Sequence, residues 1–323
     1  MITAQHLEGC YVALITPMRQ AEGKELPQID FDRFYELIRQ MVDAGVAGLL
    51  LSGTTGQSAT LTHTEHVEVA VKGASYAQWY AHEQGRTIQI LAGGGSNATH
   101  EAVSLSERIV TAAPVDALLH VTGYYNNPPQ EGLIAHFEAI ATRMQEHRVP
   151  VILYNVPGRT NSDLAAESVI HLARHPNIIG IKEASGNLEK IEQIIQATDA
   201  NQFRVVSGED HLVYEIMRRG GSGVISATAN RWPRPYQRLT ELCRSSRWDE
   251  AHELQEALLP CAKAVFSVKN PIPLAHLLAS EVRLPLVGME RLNEETRRKA
   301  LATIDQALAI EQFPSVERER SRV

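Results

Sequence analysis

Eight times along this chain a short apolar run rich in β-branched residues gives way to a longer stretch of helical period, and no other feature restricts the fold so much. The runs cover residues 11–15, 46–51, 87–91, 117–121, 151–154, 178–182, 204–207 and 223–226. Strands this far apart cannot be joined by hairpins; a crossover helix joins them and leaves them parallel. The intervening segments carry the amphipathic pattern that such helices need. In FYELIRQMVDAG, residues 34–45, apolar side chains recur every three to four residues and a glycine ends the run. Eight strand–helix units predict a closed (β/α)8 TIM barrel; an open doubly wound sheet, the competing arrangement, would have to be unusually wide. After the eighth run the pattern changes. Residues 232–310 read as helices only, with Pro233, Pro235, Pro260, Pro271 and Pro273 as expected breaks. The expected organisation is a barrel over residues 1–231, a C-terminal helical layer over 232–310, and a tail, 311–323, whose mixed charges and few apolar groups predict disorder.

What the chain can bind is narrowed by what it lacks. Its 31 Lys+Arg against 38 Asp+Glu leave a net charge of −7, with no basic cluster of the kind that grips phosphate backbones, so nucleic acid is not an expected partner. The start, MITAQHLEGC, has no basic segment followed by an apolar one, and no stretch approaches the ~18 apolar residues of a membrane span. A cytoplasmic protein with no membrane partner is the expectation. Cys10, Cys243 and Cys261 are odd in number and scattered, fitting neither a disulfide framework nor a metal-ligand set. The 13 histidines contain no HExxH or comparable set, and neither a metal nor a cofactor is expected.

In a barrel of this kind chemistry sits where the strands end and the strand-to-helix loops gather. Those ends read SGTTGQ (52–57), GGGSN (93–97), TGYYNNP (122–128), YNVPGRT (154–160), Lys182 and SGED (207–210). Lys182 is one of only seven lysines, and it closes the core run NIIGIK. Desolvation at such a place destabilises the ammonium and leaves more nucleophilic amine near pH 7, as a Schiff base with a carbonyl substrate requires. A lysine paired with its neighbour Glu183 is the alternative, equally open at this point. Tyr154 ends the preceding strand, where it can shuttle protons to Lys182 or serve only as a rim tyrosine bonded to a loop. In SGTTGQ, glycines bracket two threonines, which lets N–H groups and hydroxyls approach a carboxylate; a plain tight turn is equally open. GGGSN lacks both the lysine of a P-loop and the spaced glycines of a dinucleotide site. His63 and His66 lie one helical turn apart, as on a solvated helix face.

Together SGTTG, GYYN, YNVPGRT, GIKEASGN, GVIS and NPIP stand in the order and approximate spacing of the dihydrodipicolinate synthase / N-acetylneuraminate lyase family of class I aldolases. From about Gly9 through the helical layer, the chain resembles that family's lysine-biosynthetic branch. The resemblance implies that Lys182 forms a Schiff base with pyruvate, whose enamine attacks the aldehyde of L-aspartate 4-semialdehyde to give 4-hydroxy-tetrahydrodipicolinate, without a metal or cofactor. It further implies Tyr154 as general acid/base, with Thr55 and Tyr125 completing a hydroxyl relay and Tyr125 entering from a neighbouring subunit. Thr54 and Thr55 would hold the pyruvate carboxylate, the Ile225 carbonyl would lie near the amine, and Arg159 would bind the carboxylate of the aldehyde. A homo-oligomer follows from the resemblance, a tetramer built as a dimer of dimers. In family members that L-lysine inhibits, the effector sits at the dimer interface, and the matching positions here are Ser58, Ala59, His63, His66, Asn97, Glu101 and Tyr124. One residue departs from the pattern: Gln57 stands where the family's loop usually carries glutamate, which removes a charge. A sialic acid lyase, the nearest alternative, resembles the chain less because such lyases lack the arginine found here as Arg159. A non-catalytic binding protein on the same barrel would have no use for Lys182, Tyr154, both threonines and Arg159 together.

Overall fold

A computed structural model describes residues 2–310 and 312–314. Eight parallel strands close on themselves: β1 (Gly9–Ala13), β2 (Gly48–Leu51), β3 (Gln89–Gly93), β4 (Ala117–Val121), β5 (Val151–Asn155), β6 (Ile178–Glu183), β7 (Arg204–Ser207) and β8 (Gly223–Ser226). The ring is completed by β1, which pairs with β8 through Gly9 opposite Gly223 and with β2 through Tyr11 opposite Gly48. Around it run α1 (Phe31–Asp43), α2 (His63–Glu83), α3 (Thr99–Ala112), α4 (Gln130–Glu146), the short α5 (Pro157–Thr160), α6 (Ala166–Leu172), α7 (Leu188–Ala197), α8 (Val213–Arg218) and α9 (Pro233–Arg244). The first helix shows why these segments coil: Asp30 caps it by accepting the Arg33 N–H at 3.1 Å, and Phe34, Leu37, Ile38, Met41 and Val42 form one buried face. Along the strands, alternate side chains divide two cores. Tyr11, Ala13, Leu50, Leu91, Leu119 and Ile152 fill the lumen with Leu7, while Val12, Leu49, Leu51, Val151 and Leu153 face the helices.

Strand β6 breaks the alternation, and the break places its last lysine. Val151 pairs with Ile178, but the next residue, Ile152, pairs with Gly180, so β6 carries one extra residue at Ile179. Ile178 and Ile181 both face the helices, Ile179 packs in the lumen, and Lys182 opens into the barrel mouth as the register partner of Tyr154. In an unbroken strand every second residue from Ile178 would share its outward face, Lys182 among them. Glycine is required at position 180, where a Cβ would stand 2.5 Å from the Arg204 carbonyl oxygen and 2.7 Å from Leu7.

Three expectations need correction. The first and third strands run Gly9–Ala13 and Gln89–Gly93, about two residues from where apolarity placed them, because their ends are set by ladder partners on both sides. Val46 lies in the turn after Gly45, whose φ is +75°, so β2 starts only at Gly48. Pro260 breaks nothing: it lies inside α10 (Trp248–Val265), where it forfeits one helical bond in a segment held by the buried Leu254, Leu258, Cys261 and Val265. Pro233, Pro235 and Pro273 start helices rather than stop them, in the first turns of α9 and α11 (Ile272–Leu277), where no intrahelical N–H is needed. A two-stranded ribbon of Met18–Arg19 against Gln28–Ile29 is too short to leave a periodic signal.

Of the C-terminal helices, α10 packs on α9, α11 and α12 (Glu294–Leu308) pack on α10, and the segment joining α10 to α11 returns over the barrel mouth, bringing Phe266 and Asn270 to it. Of the tail expected to be disordered, residues 311 and 315–323 lie outside the described residues. Among the described residues, no helix is long and apolar enough to cross a membrane.

Candidate active site

The barrel mouth holds a cavity of about 740 Å³, including its opening, lined by Thr54, Thr55, Tyr154, Arg159, Lys182 and Ile225 among others. Lys182 is 6% exposed, and its Nζ lies 4.6 Å from the centroid of the Tyr154 ring. Burial drives its ammonium down to about 8; the Asp210 carboxylate opposes this and the Arg159 guanidinium assists it. Glu183, the partner that sequence left open, turns the other way. Its carboxylate accepts from Asn155 Nδ2 at 3.0 and 3.2 Å and from the Ser185 N–H at 2.7 Å, with Lys190 Nζ 3.6 Å off.

Across from the amine, burial pushes the Tyr154 phenol up to about 12, against the pull of Arg159, so near neutrality it is a protonated hydroxyl able to donate. The Thr54 side chain also works against the rise. Thr55 is buried, and its hydroxyl accepts from Asn270 Nδ2 at 2.9 Å. That bond occupies a lone pair on Thr55 and leaves the hydroxyl's own hydrogen to be donated elsewhere. Arg159, on α5, spends one N–H on the Asn270 carbonyl at 3.2 Å and keeps the rest of its fork for a ligand. Ile225, on β8, is buried at the cavity wall.

Six of the expected residues thus share one cavity. Tyr125 does not join them within the chain: it is 91% exposed, at φ +71°, with its N–H on the Thr160 carbonyl at 3.3 Å. The positions matched to an effector site fall beside the cavity. Ser58 and His66 border it, with His66 Nε2 bonded to the Gly93 carbonyl at 2.7 Å and its imidazole pushed below the ordinary histidine range by burial. Ala59 is exposed next to Ser58. Farther out, His63 Nε2 lies 3.4 Å from Glu101, which also takes a hydrogen bond from Ser96, and Asn97 accepts the Tyr124 N–H at 2.8 Å.

Gln57 faces away from the cavity. It is buried at φ +60°, its amide nitrogen donates toward the Glu281 and Thr16 carbonyls at 3.3 and 3.5 Å, and its Oε1 accepts the Arg283 N–H at 3.2 Å. A carboxylate could make neither donation, so the amide suits this place. Arg283 itself grips Glu65 bidentately at 2.8 and 2.9 Å, fastening the C-terminal layer to the start of α2. Two cavity residues had no role in the sequence reading: Glu209, quoted there only within SGED, and Asn270, within NPIP. The first was visible as a strand-end acid; the second lies in a helical layer that carries no sign of contact with the mouth.

Comparison with known proteins gives a consistent set of matches. Residues 6–307 match the dihydrodipicolinate synthetase family. The 4-hydroxy-tetrahydrodipicolinate synthase of Methanospirillum hungatei is 38% identical over 304 residues, covering 92% of this chain and 99% of that protein. Among solved structures, the chloride-inhibited dihydrodipicolinate synthase of Acinetobacter baumannii complexed with pyruvate superposes with a TM-score of 0.83 at 32% identity, covering 94% of this chain and 100% of the other. The enzyme of Cyanidioschyzon merolae with lysine bound does so with a TM-score of 0.82 at 32% identity, covering 94% and 98%.

Proposed function

The chain belongs to the dihydrodipicolinate synthetase family, and from that premise we propose how its own residues divide the work. Its reaction is the Schiff-base condensation of pyruvate with L-aspartate 4-semialdehyde to 4-hydroxy-tetrahydrodipicolinate, a lyase step on the diaminopimelate route to lysine. Lys182 adds its amine to C2 of pyruvate, and loss of water gives an iminium whose positive nitrogen draws electrons from the methyl group. Tyr154 supplies the proton for water's departure and receives one as the enamine forms, passing it through Thr55 and the Tyr125 of a second subunit. Thr54 and Thr55 hold the pyruvate carboxylate, the Ile225 carbonyl faces the amine, and Arg159 holds the carboxylate of the aldehyde. The enamine carbon then attacks the aldehyde, and the substrate's own nitrogen displaces Lys182.

The observation that carries this reading is a buried lysine that makes no ion pair among the described residues, held near pKa 8 beside a tyrosine and across a cavity from an arginine. An exposed Tyr125 in the single chain supports its use by a neighbour in a dimer of dimers. Turnover of pyruvate with aspartate semialdehyde, set beside cleavage of N-acetylneuraminate, tests the substrate assignment: the first should proceed and the second should not.

Regulation by L-lysine belongs to the same reading. The lysine-bound relative and the cluster of His63, Glu101, Asn97 and Tyr124 beside the cavity support it, with Glu101 offering a carboxylate to an effector amine. A coupling of roughly 1 to 3 kcal/mol would give partial inhibition. L-lysine should lower turnover, and Glu101→Ala should weaken that effect; activity that stays flat through millimolar lysine would count against it.

A further inference from the structure

The rung of the ladder that pairs Tyr154 with Lys182 is followed by one that pairs Asn155 with Glu183, the last residues of β5 and β6. Both side chains are wholly buried, and neither lines the cavity. Asn155 joins three segments. Its Nδ2 donates to Glu183 Oε2 at 3.0 Å and to Asp163 Oδ1 at 2.7 Å, and its Oδ1 accepts the Leu164 N–H at 3.0 Å. Glu183 Oε1 accepts the Ser185 N–H at 2.7 Å, closing the turn that follows β6, and its backbone carbonyl accepts the Gly208 N–H at 2.7 Å from the loop after β7. Lys190, in the first turn of α7, completes the set. Its Nζ donates to Asp163 Oδ1 at 2.6 Å and to the Leu164 carbonyl at 3.3 Å, lies 3.6 Å from Glu183 Oε2, and belongs to a side chain only 10% exposed.

A carboxylate without exposure is costly to keep ionised, and burial pushes the Glu183 carboxyl above the ordinary glutamate range; the Lys190 charge is the largest influence against that rise, ahead of the Ser185 and Asn155 hydrogen bonds. The ionised form matters because both Glu183 oxygens face N–H donors. A proton on either would set donor against donor and release Asn155 or Ser185. Asn155 and Glu183 each follow a reacting residue by one position, so a release there moves the main chain that carries Tyr154 and Lys182. Strand β6 has little other means of holding that position, since the bulge at Ile179 interrupts regular pairing three residues before Lys182. We propose that Lys190 is a positioning residue for the Schiff-base reaction: its charge keeps Glu183 an acceptor, and the Asn155–Glu183 rung then holds the Lys182 amine at attack distance from C2 of pyruvate, across from the Tyr154 hydroxyl. Lys190 touches no reacting atom. Its effect falls on kcat, because Thr54 and Thr55, assigned to the pyruvate carboxylate, stand after β2 and outside this network. The inference rests on the catalytic reading of Lys182 and Tyr154 above.

Exchange of the pyruvate methyl protons with deuterated water needs the Schiff base and its enamine but no aldehyde, and it tests the proposal in three variants. Lys190→Met keeps most of the side chain's length and removes its charge; the exchange rate at saturating pyruvate should fall about tenfold, while the pyruvate concentration giving half that rate stays within about twofold. Lys190→Arg restores the charge and the donors and should recover most of the rate. Asp163→Asn, at a half-exposed position, weakens the same clamp with less strain on folding, and should lose about threefold with the same split between rate and half-saturation. Thermal unfolding separates positioning from stability. A Lys190→Met protein that melts lower but exchanges at the wild-type rate per folded molecule overturns the proposal, as does a loss confined to half-saturation, or a Lys190→Arg protein as slow as Lys190→Met. Where Lys190→Met does not fold, an Asp163→Asn protein with the wild-type rate overturns it. A wild-type protein that neither exchanges pyruvate protons nor forms a borohydride-reducible adduct on Lys182 overturns the catalytic reading, and this proposal with it.

Discussion

Lys182 should react as an amine of pKa near 8, and the consequence can be worked out from its surroundings. An ammonium held at about 8 is roughly one-tenth neutral at pH 7, whereas one at the ordinary 10.5 is neutral about once in 3,000, a gain of roughly 300-fold in nucleophile. The corresponding free energy, about 3 kcal/mol, comes chiefly from burying a charge that the Asp210 and Glu209 carboxylates only partly compensate. The perturbation is pH, and the assay is the rate of Schiff-base formation with pyruvate alone, so that the aldehyde's chemistry does not enter. The rate should climb about tenfold per pH unit through the acid range and level off near pH 8. Arg159→Ala should move the midpoint upward, since the guanidinium's charge helps to hold the amine down. A rate that climbs without a break beyond pH 9 would mean that Lys182 is an ordinary lysine.

Three further outcomes are expected. Assayed above the Lys182 midpoint, Arg159→Ala should spare enamine formation while lowering kcat/KM for aspartate semialdehyde about tenfold or more, on the order of 1.4 kcal/mol, because a bidentate grip on its carboxylate is lost; steady-state kinetics beside proton exchange check this. Asn270→Ala frees the Thr55 hydroxyl from its 2.9 Å donor, and should lower kcat about fivefold, the equivalent of one neutral hydrogen bond of about 1 kcal/mol, with KM for the aldehyde little changed because Arg159 bonds only the Asn270 backbone. His120 is wholly buried and burial pushes it down to about 3, below its ordinary 6.5, so the unfolded chain binds the extra proton. Its stabilising contribution is full above pH 6.5 and drains as pH falls toward 3, on the order of 3 kcal/mol by pH 4, and denaturant titrations from pH 7 to 4 should show a smaller loss in His120→Leu.

Much of the fold could be read because its signal is repeated: eight apolar runs and the helices between them survive an error of two residues at any one end. The candidate site was legible where a residue type and a strand end coincide, as at Lys182, Tyr154 and Arg159. Why Lys182 faces inward was not legible. A one-residue bulge at Ile179 reverses the face of every later residue in β6, and it depends on pairing with Val151 and Ile152, residues almost thirty positions earlier. Asn270 was hidden for a similar reason: its bond to Thr55 spans the whole barrel, and nothing local in NPIP points to it. Glu209 and Asp210 are adjacent acids in sequence, and only the loop geometry shows that the second is consumed by Thr228 while the first borders the cavity. Pro260 misled because proline's cost in a helix, though real, is smaller than the burial that holds α10 together.

The reaction turns on covalent chemistry at one side chain, and borohydride reduction in the presence of pyruvate reads it directly. Peptide mass mapping should find the reduced pyruvate adduct on Lys182 and on none of the other six lysines, and Lys182→Ala should carry no adduct at all. An adduct on a different lysine, or full trapping in the Lys182→Ala protein, would contradict it.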